Sequence, residues 1–116
     1  MAQVIYGNTF SGGSIQVPPS KSAAHRQVLC AALSRGRCSV SNVDMNEDIK
    51  ATVAAVTALG VQARYDDASS LLTLDASGLG GQNAVIDCGE SGSTLRFLIP
   101  IAAALGVSAR FEGRGR

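Results

Sequence analysis

Lys21, Ser22, His25 and Arg26 fall within one short stretch, PPSKSAAHR, at the point where the sequence turns helical. The run AAHRQVLCAALSRG carries Ala24, Val28, Ala31 and Ala32 at helical spacing and ends at Gly36. Ser20 or Ser22 can cap the first turn, and Pro18–Pro19 keeps the residues before it extended. Cations at a helix N-terminus are disfavoured by about 0.3–1 kcal/mol each, and acids are the ordinary choice. A first turn of Lys, Ser, His and Arg makes sense if an anion binds there, where free N–H groups and the dipole favour it. Ser22 and Arg26, four apart, would share a face and could grip one group. The plainer alternative is a solvated helix start carrying one incidental charge.

A second stretch of the same character is CGESGSTLRF. Gly89 and Gly92 allow close approach of the backbone to a ligand. Ser91, Ser93 and Thr94 supply hydroxyls and caps, and Arg96 falls in the first helical turn, so the loop reads as a second anion nest or as a capping loop. Neither stretch has the spacing of a nucleotide P-loop or of a dinucleotide-binding turn. The pair suits a small anionic substrate.

Composition narrows the classes further. The chain has 116 residues, enough for one modest domain, with 46% hydrophobic residues and a net charge of +1. That charge argues against a nucleic-acid partner. Eight of the ten basic residues are arginine, the cation suited to forked recognition of carboxylates and phosphates. Cys30, Cys38 and Cys88 lack C-x-x-C spacing and there is one histidine, so no metal site is expected. Cys30 reads as a core residue, and reduced thiols suit the cytoplasm. No signal peptide and no membrane span are expected.

The elements that must position these residues alternate in type. Ser14–Val17 is expected as a strand, Ala23–Ser34 as a helix and Cys38–Val43 as a strand. A second helix follows, capped by Asn46 and running through Leu59, with Glu47 and Asp48 in its first turn and Ile49, Val53, Val56 and Leu59 as its buried stripe. Val61–Tyr65 and Leu71–Asp75 read as a hairpin, and Gly78, Gly80 and Gly81 end the unit. Ala84–Cys88, the Gly/Ser loop, LRFLIPIAAALG and VSARFEG then begin the pattern again. Arg26 and Arg96 lie 70 positions apart, as do Gly36 and Gly106, which points to a large strand–helix repeat cut partway through its second copy. Pro100 implies either a kink after Arg96 or a helix that starts near Pro100.

PPSKSAAHR, then NEDIKATVAAVTALG, then CGESGSTLRFLIPIAAALG resemble the 5-enolpyruvylshikimate-3-phosphate (EPSP) synthase family from about Ile15 onward, and the SKS-x-x-HR block is specific to it. The sister UDP-N-acetylglucosamine enolpyruvyl transferases carry Lys-Asn where this chain has Lys21-Ser22 and lack the downstream arginine, a poorer match. The resemblance implies a mixed α+β or α/β fold of strand–helix–strand–helix–strand–strand units, about one and a half of them here. Residues 1–14 would pack on another domain, 15–83 form the first unit and 84–116 begin the second. A first strand segment near Val4–Tyr6 would belong to that N-terminal region.

The resemblance further implies transfer of the enolpyruvyl group of phosphoenolpyruvate to the 5-hydroxyl of shikimate 3-phosphate, in aromatic amino-acid biosynthesis, without metal or organic cofactor. Lys21 would lie between the substrates, Ser22 and Arg26 would hold shikimate 3-phosphate, and Gly92 would line the phosphoenolpyruvate pocket. Ser93, Arg96 and Arg116 are weaker candidates, Arg116 matching the first arginine of the family's G-x-x-R-M-x-x-R-P motif, and His25 reads as a supporting residue. Glu90–Ser91–Gly92–Ser93 departs from the common Asn–Ala–Gly–Thr. The motif's second arginine and the proton-moving residues would lie beyond residue 116, so the chain is expected to be inactive without the remaining part of the same enzyme. A stand-alone anion-binding module and the sister transferase are the competing readings.

Overall fold

Each of three helices starts at a polar side chain that replaces a missing backbone partner. The computed structural model describes residues 2–4, 7 and 11–115. Helix α1 spans Lys21–Leu33, and Ser20 caps it by accepting a 3.3 Å hydrogen bond from the Ala23 amide. Helix α2 spans Glu47–Ala58, capped by Asn46, which accepts from the Ile49 amide at 3.1 Å. Helix α3 spans Gly92–Ala104, and Ser91 accepts from the Thr94 amide at 3.2 Å. Such caps are each worth about 1 kcal/mol.

Among the described residues, five strands complete the fold. Strands β1 (Arg37–Val40), β2 (Gln62–Asp66) and β3 (Leu71–Asp75) form an antiparallel sheet in the order β1-β3-β2. Strands β4 (Asn83–Asp87) and β5 (Ser108–Glu112) pair in parallel, with α3 as the crossover between them. In β3, Leu72 and Leu74 are fully buried while Leu71, Thr73 and Asp75 are half-buried, as expected for a strand with one face on the core. The core is one continuous cluster that runs from Val28, Ile49, Leu72 and Leu74 through to Ile86 and Leu98, so α2 packs against elements of both sheets. No helix among the described residues is long and apolar enough to cross a membrane.

One turn depends on glycine. Gly60, after α2, has φ +97°, and a Cβ there would lie 2.2 Å from the carbonyl oxygen of Gly78. A Cβ on Gly78 would meet the Gly60 carbonyl oxygen at 2.8 Å, so the two backbones touch and both positions need the bare residue.

Several sequence expectations change. Ser14–Val17 is not a strand: Ile15 and Val17 are exposed, and an extended segment becomes a strand only when a neighbour takes up its backbone groups. Cys30 lies on the exposed side of α1, whose buried positions are 24, 25, 28, 29, 31 and 32; the buried thiol is Cys88. The left-handed residue after α1 is Arg35 (φ 57°), not Gly36, whereas Gly106 (φ 69°) does follow α3 in that conformation. Ser20 and Ser91 lie 71 positions apart, as do Arg35 and Gly106, and both helices have 13 residues. In that register Arg26 matches Phe97, not Arg96. Helix α3 starts at Gly92 and runs through Pro100, whose ring sits on the exposed side. The expected strand residues Ile5 and Tyr6, and Arg116, lie outside the described residues.

Candidate functional site

The first turns of all three helices meet. Lys21 Nζ donates to Asp48 Oδ2 at 2.6 Å, and one turn further on His25 Nδ1 lies 2.7 Å from Thr52 Oγ1. Contacts advance together along α1 and α2, so the two helices run parallel with their N-termini at one end. Thr52 Oγ1 in turn lies 2.7 Å from Thr94 Oγ1, and the Thr94 hydroxyl also reaches the backbone oxygen of Asp48 at 3.4 Å. The start of α3 therefore joins the same cluster. Three positive dipole ends converge, each with free N–H groups in its first turn.

Around this focus the candidates divide by exposure. Lys21, Ser22 and Arg26 are exposed, and Arg26 Nη1 donates to the Ser22 backbone oxygen at 3.0 Å, which keeps that pair together on α1. The Arg26 guanidinium also sits 5.9 Å from the centre of the Phe97 ring, linking α1 to α3 through a cation–π contact. Gly92 is exposed, and a Cβ added to it would meet nothing within 4 Å. Ser93 is half-buried and Arg96 exposed. An open groove of about 320 Å³ lies against Cys88, Glu90, Ser91, Gly92, Phe111 and Arg114. Arg114 is held by Asp87 at 3.0 Å, and its amide donates to the Gly89 oxygen at 2.8 Å. Glu47, Asp48 and Glu90 bring carboxylates to the adjoining groove, so the site is mixed in charge.

His25 is the exception to the sequence picture of an exposed cationic turn. It is 2% exposed, and burial pushes its pKa below the ordinary 6.5; Asp48 opposes that shift, while Lys21 and Arg26 reinforce it. Sequence reasoning also missed Asp48, Thr52 and Thr94 as members of the cluster. A signal was present: Thr52 lies three residues after Ile49 and four before Val56, a polar side chain on the buried stripe of α2.

A family model described as EPSP synthase (3-phosphoshikimate 1-carboxyvinyltransferase) matches residues 7–116. The chain belongs to the EPSP synthase family. Curated family members named 3-phosphoshikimate 1-carboxyvinyltransferase include one from Clostridium perfringens, 41% identical over 99% of this chain and 27% of its own length. Another, from Clostridioides difficile, is 42% identical over 96% of the chain and 27% of its own length. A third, from Clostridium kluyveri, is 45% identical over 90% and 24%. The chain thus spans about a quarter of the length of the EPSP synthases it matches.

Proposed function

We propose that the protein carrying this chain is a 3-phosphoshikimate 1-carboxyvinyltransferase, transferring the enolpyruvyl group of phosphoenolpyruvate to shikimate 3-phosphate and releasing phosphate. The observation that carries this reading is the meeting of three helix N-termini beside Lys21, Ser22 and Arg26 in a chain of this family. Both substrates are polyanions, and each charge-assisted hydrogen bond to them is worth about 1.5–3 kcal/mol. Ser22 and Arg26, already tied to one another, hold shikimate 3-phosphate. Lys21 stands between the two substrates, with Asp48 aiming its ammonium group before they arrive.

Gly92 borders the phosphoenolpyruvate site. Nothing in this chain crowds its Cβ position and its φ is not positive, so the fold itself does not demand glycine there. Close approach of a ligand to the start of α3 does. Ser93, Arg96 and Arg116 are further candidates for anion contact, assigned to neither substrate. The chain supplies parts of two anion sites: residues 15–83 hold α1, β1, α2, β2 and β3, residues 84–116 begin a second unit, and the remainder of the polypeptide supplies the rest.

The test is phosphate release from phosphoenolpyruvate by the full-length protein. Turnover that requires shikimate 3-phosphate supports the reading. Turnover with UDP-N-acetylglucosamine in its place, or none with either acceptor, defeats it.

A further inference from the structure

His25, Thr52, Ser91 and Thr94 form a line of polar side chains that is almost sealed from solvent, at 2%, 0%, 5% and 0% exposure. No ligand can reach its middle, so its role is internal. A hydroxyl has one proton and must spend it in one direction. Thr94 donates to Ser91 Oγ at 2.7 Å, with the Asp48 oxygen at 3.4 Å as its other acceptor. The 2.7 Å contact between Thr52 and Thr94 is then donated by Thr52. Thr52 in turn accepts from the Nδ1–H of His25 at 2.7 Å. The line has a single polarity, from α1 through α2 to the cap of α3. It puts a proton on His25 Nδ1, and Nε2 is left with no partner among the described residues.

We propose that this line, with Thr52 at its centre, is a positioning device that couples the Lys21–Arg26 turn to the Ser91–Ser93 turn. His25 lies between Lys21 and Arg26 in the sequence, and Ser91 directly precedes Gly92, so each end of the line abuts one of the two anion sites. Ordering the first turn around shikimate 3-phosphate fixes the His25 ring, and the ring fixes Ser91 through two threonine hydroxyls. Helix α2 contributes one side chain to the line, and loss of that hydroxyl breaks it. The identity of the two ligands rests on the reading given under Proposed function; the mechanical link does not.

The experiment compares Thr52→Val, Thr52→Ser and Ser91→Ala in the full-length enzyme, with Thr52→Val also combined with Ser91→Ala. Thr52→Val is expected to raise KM for phosphoenolpyruvate roughly fivefold or more, the effect of stranding a buried partner. The Kd of shikimate 3-phosphate alone should rise by clearly less, because its contacting residues are untouched. Thr52→Ser should restore the wild-type constants. Ser91→Ala should reproduce the selective loss, and the double variant should add little to either single one. Equal losses for both substrates, no rescue by serine, or additive effects overturn the proposal. If Thr52→Val does not fold, Ser91→Ala against Thr52→Ser carries the same comparison. If the wild-type enzyme shows no turnover, the functional reading fails and amide exchange decides the link. Faster exchange in both Lys21–Arg26 and Gly92–Arg96 on Ser91→Ala then supports it, and a change confined to α3 overturns it.

Discussion

Lys21 occupies a helix start where its charge is unfavourable, and Asp48 at 2.6 Å offsets that cost. Their side chains are 54% and 32% exposed, so the pair stabilises the fold by less than about 1 kcal/mol. Lys21→Met should therefore shift the unfolding midpoint little, read by thermal denaturation, while weakening shikimate 3-phosphate binding about tenfold or more, the loss of a charged hydrogen bond read by calorimetric titration. His25 gives a pH dependence with a definite sign. Its folded pKa lies below the ordinary 6.5, so above that value both folded and unfolded states are neutral there. As pH falls below 6.5 the unfolded chain takes up the proton first, and stability drops until the lower folded value is passed. Urea midpoints should fall between pH 7.5 and pH 5, and that slope should vanish in His25→Asn. A wild-type midpoint that is flat over this range contradicts the burial of the ring.

Helix starts and turns carry predictions of a different kind. Gly60→Ala places a methyl group 2.2 Å from the Gly78 oxygen at a positive φ and should cost about 2–4 kcal/mol, measured by chemical denaturation. Gly92→Ala meets open space at the first residue of α3 and should leave stability unchanged or slightly raised, while phosphoenolpyruvate binding is lost. The elements that were legible in the sequence are those whose signals are local. Asn46 with Glu47 and Asp48 marked α2, and the two apolar runs around DDASS marked the β2–β3 hairpin. Ser14–Val17 failed because its pattern says nothing about whether a partner strand lies alongside. Gly36 was one residue off because Arg35 takes the left-handed turn itself, against its intrinsic preference. Lys21, Ser22 and Arg26 stood out as cations and hydroxyls on a helix start. That Asp48 meets Lys21, and that Thr52 and Thr94 join through His25, is tertiary information, carried by how α2 crosses between the sheets.

Across the whole molecule, the antiparallel and parallel sheets share one apolar cluster. Leu98 is fully buried on α3, and Leu98→Ala should cost about 2–5 kcal/mol. Because the cluster is continuous, the loss should also raise amide exchange at Leu72 and Leu74 in β3, far along the chain from the substitution. Protection unchanged in β3 would show two separately folding halves.

The convergence of the starts of α1, α2 and α3 has a thermodynamic side. With no anion present, like ends of three dipoles face one another, and the repulsion is a standing charge against the folded state. Under the proposed function, a phosphate bound there would act as their common counter-ion and join the fold as a structural member. Occupancy and heat resistance would then rise together, so the temperature at which the protein melts should climb with the concentration of the anion.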